Sequence, residues 1–198
     1  MAPPMLLKPI LSHAAELIAD VLRPGQFAID ATVGNGHDTL RLARLVGATG
    51  RVFGFDVQPS AIESATRRLS EVGILDRASL FLEGHQHMRE RLAPLGLEHH
   101  VRAAMFNLGY LPGADRDVTT TAETTLQGLE AAMRLITPGG LITVVLYPGH
   151  PRGPEETQAV LEWAAELSPR RALVLRYEFL DPRKPPPVLL AIQPKLHE

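Results

Sequence analysis

Asp30-Ala31-Thr32-Val33-Gly34-Asn35-Gly36-His37-Asp38-Thr39 is the stretch on which the reading of this chain turns. It leaves an apolar, β-prone run, Phe27 to Ala31, and enters a segment from Asp38 to Leu45. There Leu42, Leu45 and Val46 recur at helical spacing. Gly34 and Gly36 let the backbone turn tightly and approach a ligand with no Cβ in the way. The first N–H groups of the helix then face that ligand. Taken alone, a Gly-x-Gly turn fits an ordinary strand-to-helix junction as well.

Working outward, the strand–helix alternation continues. Arg51 to Asp56, Ser79 to Leu82, Ala103 to Asn107 and Leu141 to Tyr147 read as strands two to five. Ala172 to Phe179 and Val188 to Gln193 complete the set. Pro59 opens a helix whose buried stripe is Ile62, Ala65 and Leu69, and Thr124 to Leu135 and Glu155 to Leu167 are two more. Gly139-Gly140 after Pro138 is expected to end a helix before strand five. This order predicts an α/β fold, a Rossmann-like and mostly parallel sheet with helices on both faces. Strands six and seven are joined by the short segment Asp181 to Pro187, so the last strand is expected to run antiparallel. No linker or repeat divides residues 1–198, which read as one domain.

Composition sets the outer bounds. The 198 residues are 45% hydrophobic and 21% charged, the balance of a globular chain. The longest apolar runs are too short to cross a bilayer, and Met1 to Ile10 lacks the core of a secretory signal, so a cytoplasmic location is the expectation. The absence of cysteine excludes disulfides, thiol nucleophiles and thiolate metal sites. A formal net charge of −2 announces no nucleic acid globally, although Arg170, Arg171, Arg176, Arg183 and Lys184 gather late in the chain. His85, His87, His99 and His100 lack a helical His/carboxylate partner set and read as packing or surface groups, not metal ligands.

Two carboxylates give the glycine loop its chemistry. Asp30 ends the strand and Asp38 lies in the first helical turn. Both would repel a pyrophosphate and attract a ligand carrying an ammonium or sulfonium charge. The third glycine of the dinucleotide fingerprint is absent, with Thr39 in its place. Asp56 ends strand two, where a carboxylate can accept hydrogen bonds from both ribose hydroxyls, and Gln58 can add a ribose or adenine contact. Glu83-Gly84-His85 at the end of strand three borders the adenine position. Within the loop, Asp30, Thr32, Gly34, Asn35, Gly36, Asp38 and Thr39 are the candidate ligand contacts.

Several blocks carry a family resemblance: Asp30 to Thr39, Gly54-Phe-Asp-Val-Gln58, Phe106-Asn-Leu-Gly-Tyr-Leu-Pro-Gly113, Thr119 to Thr125, Tyr147-Pro-Gly-His-Pro151 and Pro186 to Leu190. In that order they resemble class I S-adenosylmethionine-dependent methyltransferases, specifically the small bacterial group labelled rRNA methylases. The resemblance runs from about Ser12 to Lys195. It implies a seven-stranded sheet, S-adenosylmethionine as cofactor, and methyl transfer to the exocyclic amine of a modified wobble uridine in the tRNA anticodon arm. Departures are Arg152 before Gly153, Glu83-Gly84-His85 after strand three, and Asp181-Pro-Arg-Lys-Pro-Pro-Pro187 in place of an asparagine-rich turn.

On the acceptor side, Asn107 and Tyr110 follow strand four, where amine methyltransferases place a polar residue and an aromatic beside the transferred methyl. Tyr110 would stack on the base and Asn107 would orient the amine, with Asn107 also touching the cofactor. Tyr147 and His150, after strand five, are the candidates for proton relay or orientation. The alternatives are a methyltransferase acting on rRNA or a small amine, and a nucleotide- or NAD-binding protein without methyl transfer. A homodimer is a further partner expectation.

Overall fold

The computed structural model describes residues 7–109, 120–149, 152–181 and 185–195. Tyr110, His150, Pro151, Arg183 and Lys184 lie outside them. A seven-stranded sheet carries the fold: β1 (Phe27–Asp30), β2 (Arg51–Asp56), β3 (Ala78–Leu82), β4 (Val101–Asn107), β5 (Ile136–Leu146), β6 (Ala172–Glu178) and β7 (Val188–Pro194). Its spatial order is β3-β2-β1-β4-β5-β7-β6. β7 pairs antiparallel with both β5 and β6, while the pairs among β1 to β5 are parallel. The reversed last strand therefore sits inside the sheet. Burial explains its place: all of β7 except Gln193 is buried, whereas Leu173, Val174 and Leu175 of β6 are exposed at the sheet edge.

Among the described residues six α-helices cover the two faces: α1 (Ile10–Val21), α2 (His37–Val46), α3 (Pro59–Glu71), α4 (Met88–Leu92), α5 (Ala122–Leu135) and α6 (Gly153–Glu166). Side chains alternate across the strands, so both faces carry buried apolar clusters. Ile29, Phe53, Phe55, Ala104, Phe106 and Ile142 join Met88, Leu129 and Val160 of α4, α5 and α6. Ala28, Val52, Ala103 and Met105 join Ile18 of α1, Leu42 of α2 and Leu69 of α3. Phe55 and Phe106 are essentially inaccessible, each contributing roughly 1.5–3 kcal/mol by burial. α1 and α4 are elements that strand–helix patterning had not singled out.

One expectation is corrected. Pro138-Gly139-Gly140 does not end the helix before strand five; α5 stops at Leu135, and these residues belong to β5. The register jumps from Val101↔Ile136 to Ala103↔Leu141, a bulge that absorbs the extra residues. Gly139 adopts φ 74° there, and a Cβ on Gly140 would lie 2.6 Å from the Arg102 carbonyl oxygen. The glycines serve close strand approach.

Candidate active site

β1, β2 and β4 run parallel and side by side, so their carboxyl ends meet at one edge where the connections diverge. A cavity of about 710 Å³ opens there. From the expected set it gathers Thr32, Gly34, Asn35, Asp38, Asp56, Gln58, Gly84, His85, Asn107 and Tyr147 along its walls. Asp30, Gly36 and Thr39 are not among the lining residues.

The reason lies in how the loop after β1 is held. Asp30 is 1% exposed. Its Oδ1 accepts the Thr32 N–H at 3.2 Å and its Oδ2 accepts the Thr39 hydroxyl at 2.5 Å. The carboxyl thus ties the strand end to the first turn of α2. Burial pushes its pKa up to about 7, aided by the nearby Asp38 charge and opposed by the two threonine bonds. Gly36 is left-handed at φ 75°, and a Cβ there would lie 2.6 Å from the Cα of Ala65. The residue lets α3 close against the loop. Arg68 of α3 then donates to the Asn35 carbonyl at 2.8 Å and reaches His37 Nε2 at 3.3 Å. Sequence reasoning missed this latch, which needs two helices to meet.

Asp56 is oriented by backbone alone. Its Oδ2 accepts the Gly34 N–H at 2.9 Å and its Oδ1 the Gln58 N–H at 2.9 Å. Each oxygen keeps a lone pair for a diol in the cavity. At the end of β3, Glu83 turns away to pair with Arg91 at 2.5 Å, which lowers its pKa, and it does not line the cavity. Gly84, His85 and Gln86 supply that wall instead. His85 is buried, with Nδ1 3.2 Å from the Ala31 carbonyl oxygen and its ring edge-on to Phe106. Burial holds its pKa down at about 4, so the ring is neutral and Nδ1 carries the hydrogen donated to Ala31. Gly128 of α5 makes room for that ring, since a Cβ there would lie 2.4 Å from His85 Cδ2.

The opposite wall is built around Asn107. Its N–H donates to the Thr32 hydroxyl at 2.8 Å, joining the glycine loop to β4. The Tyr147 hydroxyl donates to Asn107 Oδ1 at 2.8 Å. Burial, reinforced by the Asp38 charge, pushes the Tyr147 hydroxyl up to about 12, so it stays protonated at neutral pH. Asp38 faces the same space; burial raises its pKa, while Arg41, His37 and the Asn107 side chain oppose the rise. Thr120, Thr121 and Thr124 extend this wall at the start of α5, where Thr121 caps the helix. Pro148, Gly149, Pro185 and Pro187 close it. Among the described residues no group of three or more His, Asp or Glu side chains is arranged to hold a metal.

Known proteins resemble this chain over most of its length. The family model described as Putative rRNA methylase matches residues 52–193. The chloroplastic tRNA (mnm(5)s(2)U34)-methyltransferase of Arabidopsis thaliana is 39% identical over 178 residues, which is 86% of this chain and 64% of that relative. The chain therefore spans under two thirds of that protein's length. A "putative rRNA-methylase" from Clostridium thermocellum superposes with TM-score 0.91 at 40% identity, covering 96% of this chain and 100% of its own. A "putative methyltransferase" from Streptococcus mutans, solved in complex with SAH, gives TM-score 0.84 at 32% identity, covering 96% and 99%. The sheet is that of class I methyltransferases, and with a family match across most of the chain and solved members matching nearly all of it, the protein belongs to the Putative rRNA methylase family.

Proposed function

We propose that the protein is an S-adenosylmethionine-dependent N-methyltransferase that converts the 5-aminomethyl group of a wobble (2-thio)uridine in tRNA to 5-methylaminomethyl. The observation that carries this reading is the 39% identity, over 86% of the chain, to a tRNA methyltransferase named for that nucleotide. A cytoplasmic site of action is part of the reading. Among the described residues, no helix is long and apolar enough to cross a membrane.

The donor set in the cavity fits the cofactor. Asp56 would accept both ribose hydroxyls, Gly84, His85 and Gln86 would border the adenine, and Asp38 would face the ammonium of the methionine part. Asp30, Gly36 and Thr39 would act from behind, by shaping the loop that carries Thr32, Gly34 and Asn35. When bound, S-adenosylmethionine supplies an electrophilic methyl group on a sulfonium, which the lone pair of an amine displaces.

The chain's own contribution is alignment and exclusion of water. Because Tyr147 spends its proton on Asn107 Oδ1, its oxygen presents lone pairs to the cavity. Asn107 Oδ1 retains one as well. Two acceptors side by side would receive the N–H groups of a neutral primary amine and point its lone pair at the methyl carbon. Tyr147, held protonated, orients the amine and does not serve as a phenolate base. Transfer of labelled methyl to tRNA lacking the final methyl tests the function, with rRNA and small amines as parallel acceptors. Incorporation into rRNA alone would replace the tRNA reading with the one the family description carries.

A further inference from the structure

Several arginines of this protein are paired within the fold. Arg89 pairs with Glu98, Arg91 with Glu83, Arg171 with Glu130 and Arg176 with Glu178. The late basic cluster is thereby partly neutralised within the fold. Among the described residues eleven arginines form no ion pair with a carboxylate, and four of these, Arg41, Arg44, Arg67 and Arg68, gather on the neighbouring helices α2 and α3, although Glu63 and Glu71 share α3 with two of them.

α2 adjoins α3 and begins at the cavity wall with His37 and Asp38. His37, Arg41 and Arg44 occupy positions i, i+4 and i+7 of α2, one exposed stripe about 10 Å long. His37 itself lines the cavity, and the Arg41 charge acts on Asp38 inside it. The stripe therefore starts at the reaction site. α3 flanks it: Arg68 reaches across to His37 and Asn35, and Arg67 stands exposed on the crest. Unpaired guanidinium groups in a line suit a chain of phosphates, each able to accept a forked pair of N–H bonds.

We propose that the exposed α2–α3 face is the track for the phosphodiester backbone of the substrate RNA next to the nucleotide that enters the cavity. This rests on the RNA-modifying function proposed above and names the surface that would grip the RNA. The net charge of the chain is negative, so such a track must be local. Phosphate contacts give affinity and register but no sequence discrimination, which is left to the cavity.

The test uses the full chain with Arg41, Arg44 and Arg67 all changed to Ala, leaving Arg68 on its loop. The probe is a labelled anticodon stem-loop and the matching whole tRNA lacking the final methyl. Binding should weaken at least about tenfold near 0.1 M salt, and the slope of log affinity against log salt should fall by about two for three lost phosphate contacts. Affinity for SAH should stay within about twofold in the double variant Arg44→Ala with Arg67→Ala, which spares the Arg41 charge beside Asp38 and reports intact folding, and this double variant should still lose tRNA affinity and salt slope. The same three positions changed to Lys should keep most of the binding. Unchanged tRNA affinity and salt slope in the triple Ala variant would overturn the track. So would a larger loss from Arg170→Ala with Arg176→Ala on the β6 side. If the wild-type protein transfers no methyl to this tRNA, the functional reading itself falls; if it does and the triple variant binds normally, only the track falls.

Discussion

The loop after β1 and the wall around Asn107 open onto the same cavity, yet they are held in contrasting ways. The loop is anchored to backbone: Asp56 accepts two main-chain N–H groups, Asp30 accepts one, and Arg68 grips the Asn35 carbonyl. On the acceptor wall the groups that face the acceptor meet side chain to side chain, Tyr147 on the Asn107 amide, while the Asn107 N–H ties β4 to the Thr32 hydroxyl of the loop. Backbone-anchored groups are organised by folding and cost nothing further at the moment of reaction. Side-chain contacts are easier to remove without disturbing the chain path. Changes in the loop should therefore move stability or cofactor affinity, and changes in the wall should move the rate.

The sharpest break of that contrast is Gly36→Ala. It combines a left-handed backbone with a Cβ only 2.6 Å from Ala65 Cα. Loss of roughly 3 kcal/mol is expected, a fall of about 6–12 °C in Tm by thermal unfolding. Wild-type stability in this variant would mean the loop is not clamped between α2 and α3.

Asp56→Ala comes next. It removes the partner of two N–H groups and the expected ribose acceptor, so SAH affinity by calorimetry should fall about a hundredfold, or about 2.7 kcal/mol. Equal affinity in both proteins would refute the ribose role. Tyr147→Phe should lower kcat about tenfold with SAH affinity nearly unchanged, since it removes one hydroxyl from the acceptor wall. A loss in cofactor affinity matching the loss in kcat would erase the distinction between the two walls.

A pH slope tests the loop from another side. Folded Asp30 keeps its proton up to about pH 7, whereas the unfolded carboxyl releases it near 3.8. The folded state thus holds the extra proton between these values, and its stability falls as pH rises from about 4 to about 7. Asp30→Asn lacks that loss, so its Tm relative to wild type should climb across the window. His85 works the other way. With its pKa lowered to about 4, it costs stability as pH falls from about 6.5, and it keeps this slope in both proteins. A constant Tm difference across the window would show that Asp30 is already ionised in the fold.

Much of the framework was legible in residue order. β-prone runs separated by helical stripes place the parallel strands, and Asp181 to Pro187 is too short for a crossover, which makes β7 antiparallel. Its insertion between β5 and β6 came only from packing, because a strand apolar on both faces wins the interior over one with exposed positions. Pro138-Gly139-Gly140 misled for a related reason: glycine ends helices and also permits strand bulges, and only the neighbouring Arg102 carbonyl decides between them. Tyr110 and His150 lie outside the described residues.

For the glycine loop, sequence alone determined that a tight, acidic strand-to-helix turn stands at the carboxyl edge of a parallel sheet. That follows from local rules of backbone freedom and periodicity. Tertiary structure decided which acid faces inward: Asp30 is buried against Thr32 and Thr39, while Asp38 and Asp56 line the cavity. The Arg68 latch and the Asn107–Tyr147 bond were equally invisible in order, because each joins residues more than thirty positions apart. Side-chain direction depends on which helix or strand packs behind it, and that is a property of the folded chain.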